Sequence, residues 1–203
     1  MEIIKDTVSS AEEFFRRSGG ILRTSEALAL GIHPRTLYRL RDSGRVVRVS
    51  RGVFRLADLP ELAEPDLVVV ASRVPQAIVC LVSALSFHGI TTEIPHEVYI
   101  ALPRRVKRPR LDYPPLRTFW FSGRALAEGI ETHEIDGVRV KIYGPEKTVA
   151  DCFKFRHKVG LSVAIEALRL CRERKKSSPR TLLHYARICR VERIMLPYLE
   201  ASG

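Results

Sequence analysis

Apolar positions recur at helical spacing through most of this chain and give way to alternation in only a few places. Between residues 24 and 42 the pattern is two short helices divided by a glycine. Ala27 is the small residue that a crossing helix requires. Gly31, four positions on, tolerates the positive φ of a tight turn, and Leu37, six further, locks the second helix down. Thr24 is placed to cap the first helix and Gly31 to close it; Pro34 suits the first turn of the second helix and Gly44 its end. Leu37 and Leu40 make the inward stripe. At about 100° per residue the opposite face carries Arg35, Tyr38, Arg39 and Asp42.

Two alternating runs follow, Arg45 to Val49 and Val53 to Leu56, joined through Ser50, Arg51 and Gly52. The spacing predicts a helix-turn-helix followed by a two-stranded wing. In it Val47, Val49 and Phe54 lean on the helices, while Arg48, Arg51 and Arg55 point away. Upstream, Ser10 and Glu13 have the spacing of a capping box for a helix through Arg17, with Phe14 and Phe15 inward.

Residues 57–65 break the pattern with two prolines and three acids, which predicts a boundary and two domains, 1–60 and 61–203. Beyond it, Asp66 to Ser72 reads as helix. Pro75 opens a helix to about His88 that is apolar nearly all round, a central core helix stopped by Gly89. Strands are expected over Glu97–Leu102, Arg117–Phe121, Glu131–Ile135 and Val138–Tyr143. The last two flank Asp136–Gly137, a type I′ hairpin signal. Helices then run from Pro145 to about Arg156, Leu161 to about Arg174, Pro179 to about Arg190, and onward from Val191. The fold class is α+β: an N-terminal winged helix-turn-helix, then an α+β domain with a small, mostly antiparallel sheet packed by helices.

Charge gives the first domain a partner. The chain carries 34 Lys and Arg against 23 Asp and Glu, and seven arginines lie between Arg35 and Arg55 against one acid, Asp42. Such a surface fits the phosphates of double-stranded DNA. The second helix would enter the major groove with Arg35, Thr36 and Arg39 near its leading end and Tyr38 on the same face. Arginine can contact guanine bidentately, which makes Arg35 and Arg39 the candidates for base readout; Arg45, Arg48 and Arg51 would add to the DNA surface, with Arg48, Arg51 and Arg55 free for phosphate or the minor groove. Arginine-rich helices are also common solvated faces, and three-helix bundles with a hairpin also bind proteins. Agreement among spacing, caps, wing and charge favours DNA. Two later basic runs, 104–110 and 172–176, stay open between a partner contact and a solvated loop or helix end.

Chemistry is sparse elsewhere. Cys80, Cys152, Cys171 and Cys189 are scattered, without zinc-ligand spacing, and read as buried residues of a reducing compartment. No apolar run reaches membrane-spanning length and no secretory core opens the chain, so a cytoplasmic protein with no membrane partner is expected. His88, His96, His133, His157 and His184 are dispersed. Glu146, Lys147 and Asp151 share a helix start, where Lys147 and Asp151 are spaced to pair. No catalytic set, metal site or cofactor motif emerges, and a non-enzyme is expected.

The segments GGILRTSEALALGIHPRTLYRL (19–40) and VSRGVFRL (49–56) resemble the N-terminal winged helix of AbiEi-type antitoxins. ALSFHGIT (84–91), IPHEVYIALP (94–103) and GVRVKIYGPEKTVADCFKFR (137–156) resemble that family's C-terminal domain, in the same order. The resemblance implies an antitoxin of a type IV toxin–antitoxin system, linked to phage defence by abortive infection. Its winged helix would repress its own promoter at inverted repeats through Arg35, Thr36, Arg39, Arg48 and Arg51. Its C-terminal domain would counteract a nucleotidyltransferase-like toxin, with or without a stable complex. The GPEKTVAD segment (144–151) would belong to that domain, or serve packing alone, with Val149 and Phe153 in the core. Two alternatives stay open from the residues: an ordinary regulator whose second domain binds a ligand or dimerises, and a metal nuclease using Glu146 or Asp151.

Overall fold

The computed structural model describes residues 2–175 and 177–201, with side chains described from residue 9. The chain forms two compact units, one of residues 1–75, 111–114 and 134–140, the other of residues 76–110, 115–133 and 141–203.

The first unit begins with helix α1 (Glu2–Arg17), strand β1 (Ile21–Arg23), α2 (Thr24–Ala29) and α3 (Pro34–Asp42). Strands β2 (Val46–Ser50) and β3 (Val53–Leu56) and helix α4 (Pro65–Arg73) follow. Because α1 begins well before Ser10, no terminus exists there for Ser10 to cap; Glu13 instead pairs with Arg17 one turn on. Phe15 is fully buried and Phe14 packs beside it, as the pattern predicts. The core joins Phe15, Ala27, Leu37, Leu40, Phe54 and Leu56.

Helix α2 ends as expected: Gly31, at φ 86°, turns the chain so that its N–H reaches Leu28 O and Ile32 N–H reaches Ala27 O. Its start differs. Glu26 accepts the backbone N–H of Arg23 (2.9 Å), so Arg23 occupies the cap and Thr24 lies inside the first turn. Helix α3 starts with Pro34 behind His33, whose Nδ1 accepts Arg35 N–H at 3.2 Å, a cap the sequence reading missed. At its other end Gly44 and Arg45 donate to Arg41 O and Leu40 O.

The wing has three strands in the order β1-β3-β2, all antiparallel. The third strand was not foreseen, since β1 is too short to alternate. It makes β3 central, so all four β3 residues are buried, Arg55 included. The hairpin tip at Asp136 and Gly137, both at positive φ, belongs to this unit. Asp136 accepts Ala63 N–H at 3.0 Å, and a Cβ on Gly137 would fall 2.3 Å from Gly19 O.

The second unit is built on a five-stranded sheet, β6-β5-β4-β8-β7: β4 (Ile78–Val79), β5 (Val98–Pro103), β6 (Leu116–Phe121), β7 (Ile130–Ile135) and β8 (Val138–Tyr143). The α+β class holds, but the sheet is mixed rather than mostly antiparallel. β4 runs antiparallel to β5 and parallel to β8, and β5 is parallel to β6. Two causes account for this. The connection 104–115 is long enough to return the chain for a parallel pairing. And residues 75–80, expected as helix, instead insert β4 at the sheet centre. A segment buried on both faces has no periodicity that separates strand from helix. Helix α5 is therefore short, Leu81–Phe87.

Helices α6 (Arg124–Ala127), α7 (Pro145–Lys154), α8 (Arg156–Val159), α9 (Leu161–Lys175), α10 (Pro179–Cys189) and α11 (Glu192–Ala201) complete the unit. Helix α7 is central, packing on α5, α9 and α10. Its Val149, Ala150, Cys152 and Phe153 are wholly enclosed, beside Leu85, Leu168 and Leu182.

Candidate nucleic-acid interface

Helix α3 presents Arg35, Tyr38 and Arg39 to solvent while Leu37 and Leu40 are buried beneath it. Thr36 departs from its expected place at the groove: only 8% of it is exposed. It precedes Leu37 and lies one turn before Leu40, so it borders the inward stripe. Arg41 pairs with Asp42 and lies over the Tyr38 ring at 5.0 Å, holding that ring against the helix surface.

Arg48 and Arg51 are exposed on the β2–β3 hairpin. Arg48 donates to Ser50 O at 3.3 Å, which folds its stem along the turn. The wing tip is fixed from behind, where Arg73 donates to Arg51 O and Thr24 Oγ1 reaches Gly52 O at 3.4 Å. Two expectations fail in this hairpin. Arg55 is not free for DNA: it is 8% exposed and donates to Leu59 O and Pro60 O, satisfying carbonyls of the segment after β3. Val47 does not lean on the helices but is 45% exposed. The break in register between Arg48 and Ser50 leaves Val49 half-buried.

Carboxylates sort the cations further. Among the described residues, the ion pairs of this unit join Arg16 to Asp58, Arg17 to Glu13, Arg23 to Glu26, Arg41 to Asp42 and Arg45 to Glu12. Arg45 is exposed, but the Glu12 carboxylate lies 2.7 Å from its guanidinium and offsets its charge. Arg35, Arg39, Arg48 and Arg51 are in none of these pairs. Two sit on α3 and two on the wing, an unneutralised set that suits an anionic surface.

The GPEKTVAD segment is internal. Pro145 opens α7, and Lys147, Thr148, Val149, Ala150 and Asp151 are all buried. Lys147 donates to Asp151 and stands 4.0 Å from the centre of the Tyr143 ring. Cys189 Sγ donates to the other Asp151 oxygen at 3.1 Å. Burial pushes the Asp151 carboxyl above its ordinary value, and Lys147 opposes that shift. Burial likewise raises the thiols of Cys80, Cys152 and Cys189, and that of Cys171 to about 11. These thiols are poor nucleophiles. Among the described residues no three His, Cys, Asp or Glu side chains gather as a metal site, and no helix is long and apolar enough to cross a membrane.

The basic runs divide in the same way. In the run 172–176, Arg174 donates to Gly89 O at 2.7 Å and Arg172 to Leu199 O at 3.4 Å; Lys176 lies outside the described residues. In the run 104–110, Arg108 holds Leu116 O at 2.9 Å.

No protein of curated function matches the chain. Among solved structures, the crystal structure of the RV2827C protein from Mycobacterium tuberculosis is similar with a TM-score of 0.60 at 14% identity. The match covers 96% of this chain and 76% of that one, and at such identity the likeness concerns the fold alone. Residues 10–57, the helix-turn-helix and wing just described, match the AbiEi_4 family model, "Transcriptional regulator, AbiEi antitoxin", so the AbiEi resemblance read from the sequence is shown over that segment.

Proposed function

We propose that the chain is the autorepressor and antitoxin of a type IV toxin–antitoxin operon of the abortive-infection kind, acting in the cytoplasm. Residues 1–60 serve as the DNA-binding domain and recognise inverted repeats in the operon's own promoter. Residues 61–203 serve as the antitoxin domain and counteract a nucleotidyltransferase-like toxin.

One observation carries the reading: Arg35 and Arg39 on α3, and Arg48 and Arg51 on the wing, are exposed and unneutralised within a segment that matches a regulator family. Arg35 and Arg39 read bases, Tyr38 packs against the backbone or a base edge, and Arg48 and Arg51 hold phosphates. Thr36 acts from behind by fixing the register of α3, and Arg45, shared with Glu12, contributes less.

The test uses the full chain and a full-length Arg35→Ala/Arg39→Ala variant, each expressed from a foreign promoter. Operator binding and growth rescue from the neighbouring nucleotidyltransferase-like gene product are both measured. The variant is expected to lose operator binding and to keep rescue. Failure of the wild-type chain to rescue growth would overturn the antitoxin role. Retained operator binding by the variant would overturn the assignment of the interface.

A further inference from the structure

The second unit holds a cavity of about 860 Å³ whose charged lining is entirely cationic. Its six cations come from distant parts of the chain: Arg104 after β5, Arg124 on α6, Lys154 and Arg156 around the α7–α8 junction, and Arg187 and Arg190 at the end of α10. Two are neutralised, Arg124 by Glu128 and Arg187 by Glu192 at 2.8 Å. The other four are in no ion pair among the described residues. The Arg156 side chain donates to Phe153 O at 3.0 Å, and Lys154 stands near the Phe121 and Phe155 rings at 5.8 and 5.9 Å.

From this we infer that the cavity is a binding site for a small polyphosphorylated ligand of nucleotide size. Four cations in no ion pair repel one another, so their meeting at one concavity favours an anion there. Guanidinium groups match phosphate oxygens in pairs, and a lysine adds a point charge. The volume lies within the range of roughly 300–1,000 Å³ typical of small-molecule pockets. A concave pocket receives a compact ligand, whereas the backbone of a duplex calls for a basic ridge or a long groove. Ile188, Val191 and Ile194 supply an apolar wall for the unphosphorylated part.

Arg190 adds a separate observation. It holds a left-handed backbone (φ 60°, ψ 41°) at the end of α10, where its N–H reaches Arg187 O and that of Val191 reaches Ala186 O. Glycine adopts that conformation without penalty. An arginine there, exposed at the cavity rim, is favoured by what its side chain does rather than by the turn.

Calorimetric titration of the full chain with ATP, inorganic tripolyphosphate, adenosine and a short single-stranded oligonucleotide tests the site. ATP and tripolyphosphate are expected to bind and adenosine not. Arg190→Gly is expected to weaken ATP binding by about tenfold or more while its melting temperature is unchanged or higher, since the strained turn is relieved. A second variant, Arg104→Gln/Arg156→Gln, is expected to weaken ATP further without changing operator affinity. No binding of either phosphate compound would overturn the inference. So would ATP affinity indifferent to both variants, because the phosphates would then sit elsewhere. Tighter binding of the oligonucleotide than of ATP, lost in Arg190→Gly, would also overturn it, marking a nucleic-acid groove instead.

Discussion

Arg39 and Arg48 are both exposed arginines, yet they stand on different elements and should fail differently. Arg39→Ala is expected to cost about 1–3 kcal/mol on the operator and little on random DNA. Arg48→Ala should weaken both alike and lower the salt slope by about one. Anisotropy titrations on the two DNAs over a salt series separate these outcomes. Sequence pattern located this face because Leu37 and Leu40 fix which side of α3 looks out. It failed at Thr36, which borders the inward stripe, and at Arg55, whose strand is made central by β1, distant in sequence. Gly137 shows the same dependence. The Asp-Gly pair announces a turn, but not that Gly19 backbone lies against it. Gly137→Ala is expected to destabilise the protein by about 1–3 kcal/mol in urea unfolding, with an unchanged midpoint as the contrary result.

At the scale of elements, α7 is anchored from inside by Lys147 and Asp151, both fully enclosed. Lys147→Met strands a buried carboxylate and is expected to cost about 3–5 kcal/mol near neutral pH. Burial already raises the Asp151 carboxyl, so without its lysine the folded protein takes up a proton and the deficit shrinks as pH falls. Urea titrations at neutral and acidic pH read this directly. The end of α5 is tied to β8 through His88, whose Nε2 donates to Tyr143 O at 2.8 Å. Burial lowers the His88 pKa, with His133 and Lys175 acting in the same direction; the Tyr143 carbonyl and Glu131 oppose it. The neutral ring is thus favoured in the folded state. Its contribution is present above the unfolded imidazole value, about 6.5, and is lost as pH falls through the lower folded value. His88→Gln keeps a donor without the titration and should flatten that decline in thermal melts; an identical decline would contradict the assignment. Helix α3 and the β7–β8 hairpin were legible because a proline, glycines and alternation mark their ends. β4 was not, because two buried residues at a sheet centre carry no pattern.

At the scale of the whole molecule, the excess of 34 basic over 23 acidic residues has two destinations that the sequence alone does not separate. Seven arginines cluster visibly between positions 35 and 55, whereas those around the cavity of the second unit lie at 104, 124, 156, 187 and 190 and meet only through folding. The fold class was therefore readable from local patterns, and so was the first basic face. The second basic site was hidden because no short segment contains it. Recognition of the chain's own promoter by α3 and the wing is the core of the proposed function. Its most direct test is the affinity of the full chain for promoter repeats against a scrambled duplex of equal length at physiological salt, with Arg35→Ala/Arg39→Ala beside it. The wild-type chain is expected to prefer the repeats by at least about a thousandfold, and the variant to fall to the scrambled level. Equal affinity of the wild-type chain for both duplexes would contradict it.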